Sequence, residues 1–120
     1  KIYDTNALIE IYKNKDLRNG LTRIVTSILN VIEYPPILEL KERLLILYPA
    51  NEDYELALKI MIELRKVSKP VNVVDIVLAS IAINRGLVVV TDDKDFGQIK
   101  AVEGRLKIQR LVGSDEAHRR

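Results

Sequence analysis

In its second half the chain runs Leu87-Val88-Val89-Val90 straight into Thr91-Asp92-Asp93-Lys94-Asp95-Phe96, with Gly86 in front. An unbroken apolar run between a glycine and a polar turn reads as a strand buried on both faces, the situation of a parallel sheet covered by helices. Burial does not account for the acids at its end. The strand therefore opens into a polar site.

The remaining chain alternates strands with helices. Ile2-Tyr3 begins a strand, Asp4-Thr5-Asn6 makes a capping turn, and Ala7, Leu8, Ile9, Ile11 and Tyr12 form an apolar helical stripe. A polar segment follows, Lys13 to Gly20. Leu21 to Val25 is rich in β-formers, and Thr26-Ser27 caps a helix over Ile28 to Tyr34 that Pro35-Pro36 ends. Ile37 to Arg43 reads as a short helix and Leu44 to Tyr48 as a third strand. Asn51 to about Val67 is amphipathic, with acids at its start and Arg65-Lys66 at its end, as the helix dipole favours. Asn72 caps a more apolar helix, Val73 to Arg85, with Gly86 at the C-cap. After the opening strand come a short helix around Phe96 to Val102 and a last strand, Leu106 to Val112. This order predicts an α/β fold, a three-layer α/β/α domain with right-handed crossovers and a mostly parallel sheet of about five strands. At 120 residues, without repeat or linker, the expectation is one domain over 1–112 and a polar, flexible tail over 113–120.

Composition enters as a set of exclusions. The chain has no cysteine, so neither a disulfide framework nor a thiolate metal site is available. A net charge of +2 is far from the basic excess that announces a nucleic-acid binder by itself. No apolar run approaches the ~18 residues of a membrane span. The first residues lack a signal-peptide pattern, and a residue or two is expected ahead of Lys1; a cytoplasmic protein with no membrane partner is the expectation.

In open parallel sheets ligands bind beyond the C-terminal strand ends, where strand order reverses. Asp4 and the acids from Asp92 to Asp95 both lie just past strand ends, and Asp75 lies in the first turn of the helix leading into the Val88 strand. Each has a bland reading. Taken alone, Asp75 reads equally well as an acid partnering the cap Asn72, Asp92 to Asp95 as a solvated turn, and Glu33 as an exposed helix end. Together these readings weaken, because Asp75 is embedded in Val73-Val74-Asp75-Ile76-Val77-Leu78-Ala79 and converging carboxylates repel one another. A divalent cation relieves that conflict. Oxygen ligands without cysteine, and with His118 alone in the tail, favour Mg²⁺ or Mn²⁺ over zinc. Such sites activate water for attack on a phosphodiester.

The order Ile2-Tyr3-Asp4-Thr5-Asn6, then Thr26-Ser27 with Glu33, then Val74-Asp75-Ile76-Val77-Leu78-Ala79, then Val90-Thr91-Asp92-Asp93-Lys94-Asp95-Phe96 resembles a PIN domain, most closely the VapC-type toxins of toxin–antitoxin pairs. The resemblance runs to about Val112. It implies a metal-dependent ribonuclease in which Asp4, Glu33, Asp75 and Asp93 are the acidic positions that hold Mg²⁺ or Mn²⁺. Thr91 matches a hydroxyl that orients them, Asn6 a polar position beside the first acid, and Asp95 an assisting acid. Glu33 enters the site through the resemblance alone. The implied partners are an RNA substrate, a cognate antitoxin and a second copy of the chain. Pro35-Pro36 after Glu33 departs from the family pattern and bears on the local groove. Lys13, Lys15, Arg18 and Lys94 are candidate phosphate contacts, and the stripe Ala7 to Tyr12 with the Ile37 to Leu45 region reads as interface or core. Two other classes also fit acids at strand ends. A receiver or phosphotransfer domain needs an acid after the third strand or Asp-x-Asp after the first, where this chain has Leu47-Tyr48-Pro49 and Asp4-Thr5-Asn6. A non-catalytic binding module would keep the acids for ion-dependent stability.

Overall fold

The computed structural model describes residues 1–111, so the expected tail over 113–120, His118 and the end of the last predicted strand at Val112 lie outside the described residues. The strands are β1 (Ile2–Tyr3), β2 (Ile24–Ser27), β3 (Leu44–Leu47), β4 (Val88–Val90) and β5 (Lys107–Gln109), and every pairing among them is parallel. The helices are α1 (Thr5–Lys13), α2 (Lys15–Asn19), α3 (Ile28–Glu33), α4 (Asn51–Lys66), α5 (Val73–Arg85) and α6 (Asp95–Val102), with a 3-10 helix over Pro35–Leu40.

Strand alternation builds the layers. In register, Ile2 pairs with Val89 and both enter one core with Ile76, Leu78, Ile81 and Phe96, beneath α4, α5 and α6. Tyr3 pairs with Val90 and both enter a second core with Leu8, Ile11, Val31 and Ile37, beneath α1, α3 and the 3-10 helix. Helices thus cover both faces, as the apolar run at Val88 requires.

Hydrogen-bonded pairing gives two groups, β1-β4-β5 and β2-β3, where one sheet was expected. No backbone ladder joins β1 to β2. Instead β2 lies beside β1, and the buried Thr26 hydroxyl donates to the Tyr3 carbonyl at 2.8 Å. Across that seam the order is β3-β2-β1-β4-β5, which reverses direction at the β1/β4 boundary.

Other differences have local causes. The second strand starts at Ile24, not Leu21, because its ladder begins where the Ile24 amide meets the Arg43 carbonyl at 2.8 Å. Ser27 closes that strand while capping α3. The polar segment after Lys13 contains a helix, α2, because Asn14 accepts the Leu17 amide at 3.0 Å and caps it. The predicted helix over Ile37 to Arg43 is a 3-10 turn that starts at Pro35, since the prolines take the first positions, where no amide is needed. Ala7, Leu8, Ile11 and Ile37 are core, so the α1 stripe is not a surface. The exposed apolar residues include Tyr54, Leu58, Ile62 and Val73, and Tyr54, Leu58 and Val73 line a groove between α4 and α5. Asp53 is buried far from the acidic strand ends, held by Asn84 at 2.8 Å and Arg85 at 3.1 Å. Among the described residues no helix is long and apolar enough to cross a membrane.

Candidate active site

β1 and β4 end side by side at the reversal point, and each hands the chain to an acid. Asp4 caps α1: one carboxylate oxygen accepts the Ala7 amide at 2.9 Å, and the other accepts the Thr91 hydroxyl. Thr91 Oγ1 in turn accepts the Asp93 amide at 2.9 Å. One buried hydroxyl therefore fastens the acid after β1 to the turn after β4. Asp93 then accepts the Asp95 amide at 2.9 Å, shaping the entry to α6, which fully buried Phe96 anchors in the core.

Asp75 arrives from the start of α5. Asn72 caps that helix by accepting the Val74 amide at 2.8 Å, and no bond returns from Asp75. Among the described residues the Asp75 carboxylate has no hydrogen-bond or ion-pair partner, so its reading as a capping acid is not what the geometry uses. Carboxylate oxygens of Asp75, Asp93 and Asp95 lie within 4.8 Å of one another. Asp95, expected only to assist, sits in this trio, whereas Asp4 stands beside it with both oxygens bonded.

A cleft of about 420 Å³ is lined by Asp4, Thr5, Asn6, Glu33, Asn72, Asp75, Asp93 and Asp95. Five of these are carboxylates and none is basic. The electrostatic result is visible in the acids themselves. Burial, then the charges of Asp93, Asp4, Glu33 and Asp95, push Asp75 up to about 7. Burial likewise raises Asp4 to about 6, against the bonds from Thr91 and Ala7 and with added repulsion from Asp93 and Asp92. Carboxylates so crowded must retain protons or gather around a cation. The donor set is all oxygen and suits Mg²⁺ or Mn²⁺. It fits Asp75 best, because that group's oxygens are uncommitted.

Glu33 ends α3 at an exposed position, yet it reaches the cleft because the Thr5 hydroxyl donates to it. Thr5 accepts from Asn30, and Asn30 meets Ser27. Sequence reasoning missed Thr5, Asn30 and Asn72 as site neighbours. Asn30 left a signal, a lone amide within Ile28-Leu29-Asn30-Val31-Ile32; Thr5 left none beyond its place in the capping turn. Pro35 begins the 3-10 helix immediately beyond and leaves Glu33 in place.

Asp92 turns away from the cleft, accepting the Leu111 amide at 3.2 Å and facing Arg110 Nε at 3.4 Å. Lys94 lines an adjoining cleft with Thr91, Asp92, Gly97 and Arg110 that shares Asp93 with the first. Lys13, Lys15 and Arg18 line neither cleft. Lys13 ends α1, about 13 Å of helix from Asp4, and Lys15 and Arg18 follow it in α2, so they are not positioned as phosphate contacts at the acids.

A family model described as the PIN domain matches residues 1–102. Among curated proteins none matches the sequence. The structure is similar to that of a chain in a DNA-bound VapBC from Salmonella typhimurium, with a TM-score of 0.72 and 25% identity over 92% of this chain and 96% of that one. A chain of VapBC-1 from nontypeable Haemophilus influenzae gives a TM-score of 0.75 and 24% identity over 92% and 97%. One from VapBC2 of Rickettsia felis, bound to a promoter DNA fragment, gives 0.74 and 17% over 91% and 96%.

Proposed function

The chain belongs to the PIN domain family, and from that premise we propose that it is a divalent-metal-dependent endoribonuclease, the toxin of a VapC-type toxin–antitoxin pair. The observation that carries this is the cleft in which Asp4, Glu33, Asp75, Asp93 and Asp95 converge with no basic side chain among its lining residues. Such a site repels an anionic substrate until a cation is held there.

In this reading Asp75, Asp93 and Asp95 hold Mg²⁺ or Mn²⁺, with Asp4 and Glu33 completing the acidic rim directly or through water. When bound, the cation supplies Lewis-acid chemistry and makes water a competent nucleophile near neutral pH. Thr91 keeps Asp4 and the Asp93 turn in fixed relation, so the carboxylates are arranged before substrate arrives. Asn6 is exposed at the rim and available to an RNA group. Lys94 stands over the adjoining cleft, where a phosphate neighbouring the scissile one would pass. Water would attack the phosphorus in line as the bond to the leaving ribose oxygen breaks, with no covalent protein intermediate.

The similar structures are of VapBC assemblies, which supports a cognate antitoxin as partner. A homodimer is part of the same proposal, supported by the apolar groove between α4 and α5. The working location is the cytoplasm.

RNA cleavage with EDTA, Mg²⁺ or Mn²⁺ tests the activity. Wild type is expected to cleave only with the cation, and Asp93→Asn and Asp4→Asn to lose at least about 100-fold in rate. Equal cleavage by wild type and both variants would assign the activity to a contaminant and remove the proposal.

A further inference from the structure

The exposed end of α3 is a poor place to hold a carboxylate still, since a glutamate there has many rotamers and water on most sides. Glu33 is nevertheless fixed by a series of hydrogen bonds that begins in the core. The Ser27 hydroxyl donates to Asn30 Oδ1, and the Asn30 backbone amide returns a bond of 3.3 Å to Ser27 Oγ. Asn30 Nδ2 donates to Thr5 Oγ1 at 2.9 Å, and the Thr5 hydroxyl donates to Glu33 Oε1. Ser27 and Asn30 are both fully buried.

All the side-chain donors in this series point one way, from core to cleft. A threonine hydroxyl has one proton. With the Asn30 amide filling an acceptor position on Thr5, that proton goes to Glu33, and bonds in such a series polarise one another. The reverse orientation of the amide would present its oxygen to Thr5 and take the proton from Glu33. In the arrangement the fold adopts, Ser27 meets Oδ1 and Nδ2 faces Thr5, which leaves Glu33 as acceptor. A buried amide needs a partner at each end, and this one finds its second on Thr5, the residue that donates to Glu33 at the cleft.

We infer that Thr5 and Asn30 are positioning residues that hold Glu33 at the rim of the acidic cleft and so set its cation affinity and turnover. This rests on the reading of the cleft as a metal-dependent nuclease site. The two positions come from different segments, the first turn of α1 and the middle of α3, and meet only in the folded chain.

The test is Mn²⁺ titration by calorimetry, alongside RNA cleavage, on wild type, Glu33→Gln, Thr5→Val, Thr5→Ser, Asn30→Ala and the Thr5→Val/Glu33→Gln double variant. Loss of an outer partner of a metal ligand lowers affinity or activity roughly 10- to 100-fold. Thr5→Val is expected to weaken Mn²⁺ binding and lower kcat within that range with little change in KM, and Thr5→Ser to restore both. Asn30→Ala should move the same way; because Asn30 is buried, half-buried Thr5 is the decisive position. The double variant should be no worse than Glu33→Gln alone, since both changes remove one unit. Thr5→Val behaving as wild type while Glu33→Gln is impaired would overturn the inference and leave the function standing. So would a double variant that loses the product of both effects. Wild type that neither binds Mn²⁺ nor cleaves RNA would overturn the function and the inference with it.

Discussion

Asp4 and Asp75 hold their protons well above the ordinary aspartate range, and the sign of that departure has consequences for stability. Both are raised from 3.8, to about 6 and about 7. Between these values the folded chain keeps protons that the unfolded chain has released, so the free energy of unfolding falls as pH rises. The contribution is fully present below the ordinary aspartate value and is lost as pH climbs through about 6 and then about 7. Metal-free protein should therefore lose thermal stability from about pH 4 to about pH 7, and Asp75→Asn should flatten that slope and raise the Tm at the alkaline end. Adding Mg²⁺ or Mn²⁺ should reverse the loss for wild type only, because binding needs deprotonated ligands. Thermal scans across this range decide it; an Asp75→Asn slope equal to wild type would contradict the crowding described. At this scale the meeting of Asp4, Asp75 and the acids after β4 at one rim was legible in the sequence, because strand ends and helix starts in a parallel sheet share one edge; the choice of Asp93 among those acids came from the resemblance. Glu33 was legible only by resemblance. Thr5 and Asn30 were not, since their meeting depends on packing α1 against α3, across 25 residues of chain.

Elements with strong local signals matched closely, and those decided by tertiary contact did not. α5 and β4 follow the expected bounds because cap, apolar run and glycine all agree. β2 shifted toward Thr26 and Ser27 because a partner strand and the Tyr3 carbonyl satisfy polar groups that, read locally, only suggest a cap. Gly86 shows local chemistry at its clearest. It ends α5 at φ 66°, in the left-handed region, and a Cβ there would meet nothing within 4 Å. Gly86→Ala should cost about 1–2 kcal/mol from backbone conformation alone, read by urea unfolding; no loss would mean that the turn into β4 does not depend on that conformation.

Across the whole molecule, the chain builds β2 and β3 on one side of β1, then returns to place β4 and β5 on the other. That reversal, implied by the alternating pattern, is what brings Asp4 and Asp93 together. The proposed dimer belongs to this scale too: light scattering should give twice the 13.7 kDa chain mass, and Leu58→Glu in the α4–α5 groove should shift it toward the single mass. A monomer at micromolar concentration would remove that part of the account. The central claim is that the acids at the reversal point form one cation site. Anomalous scattering from crystals soaked in Mn²⁺ near pH 8 measures it directly. The expected result is a peak in contact with the carboxylates of Asp75 and Asp93; ordered carboxylates with no peak in the cleft would contradict it.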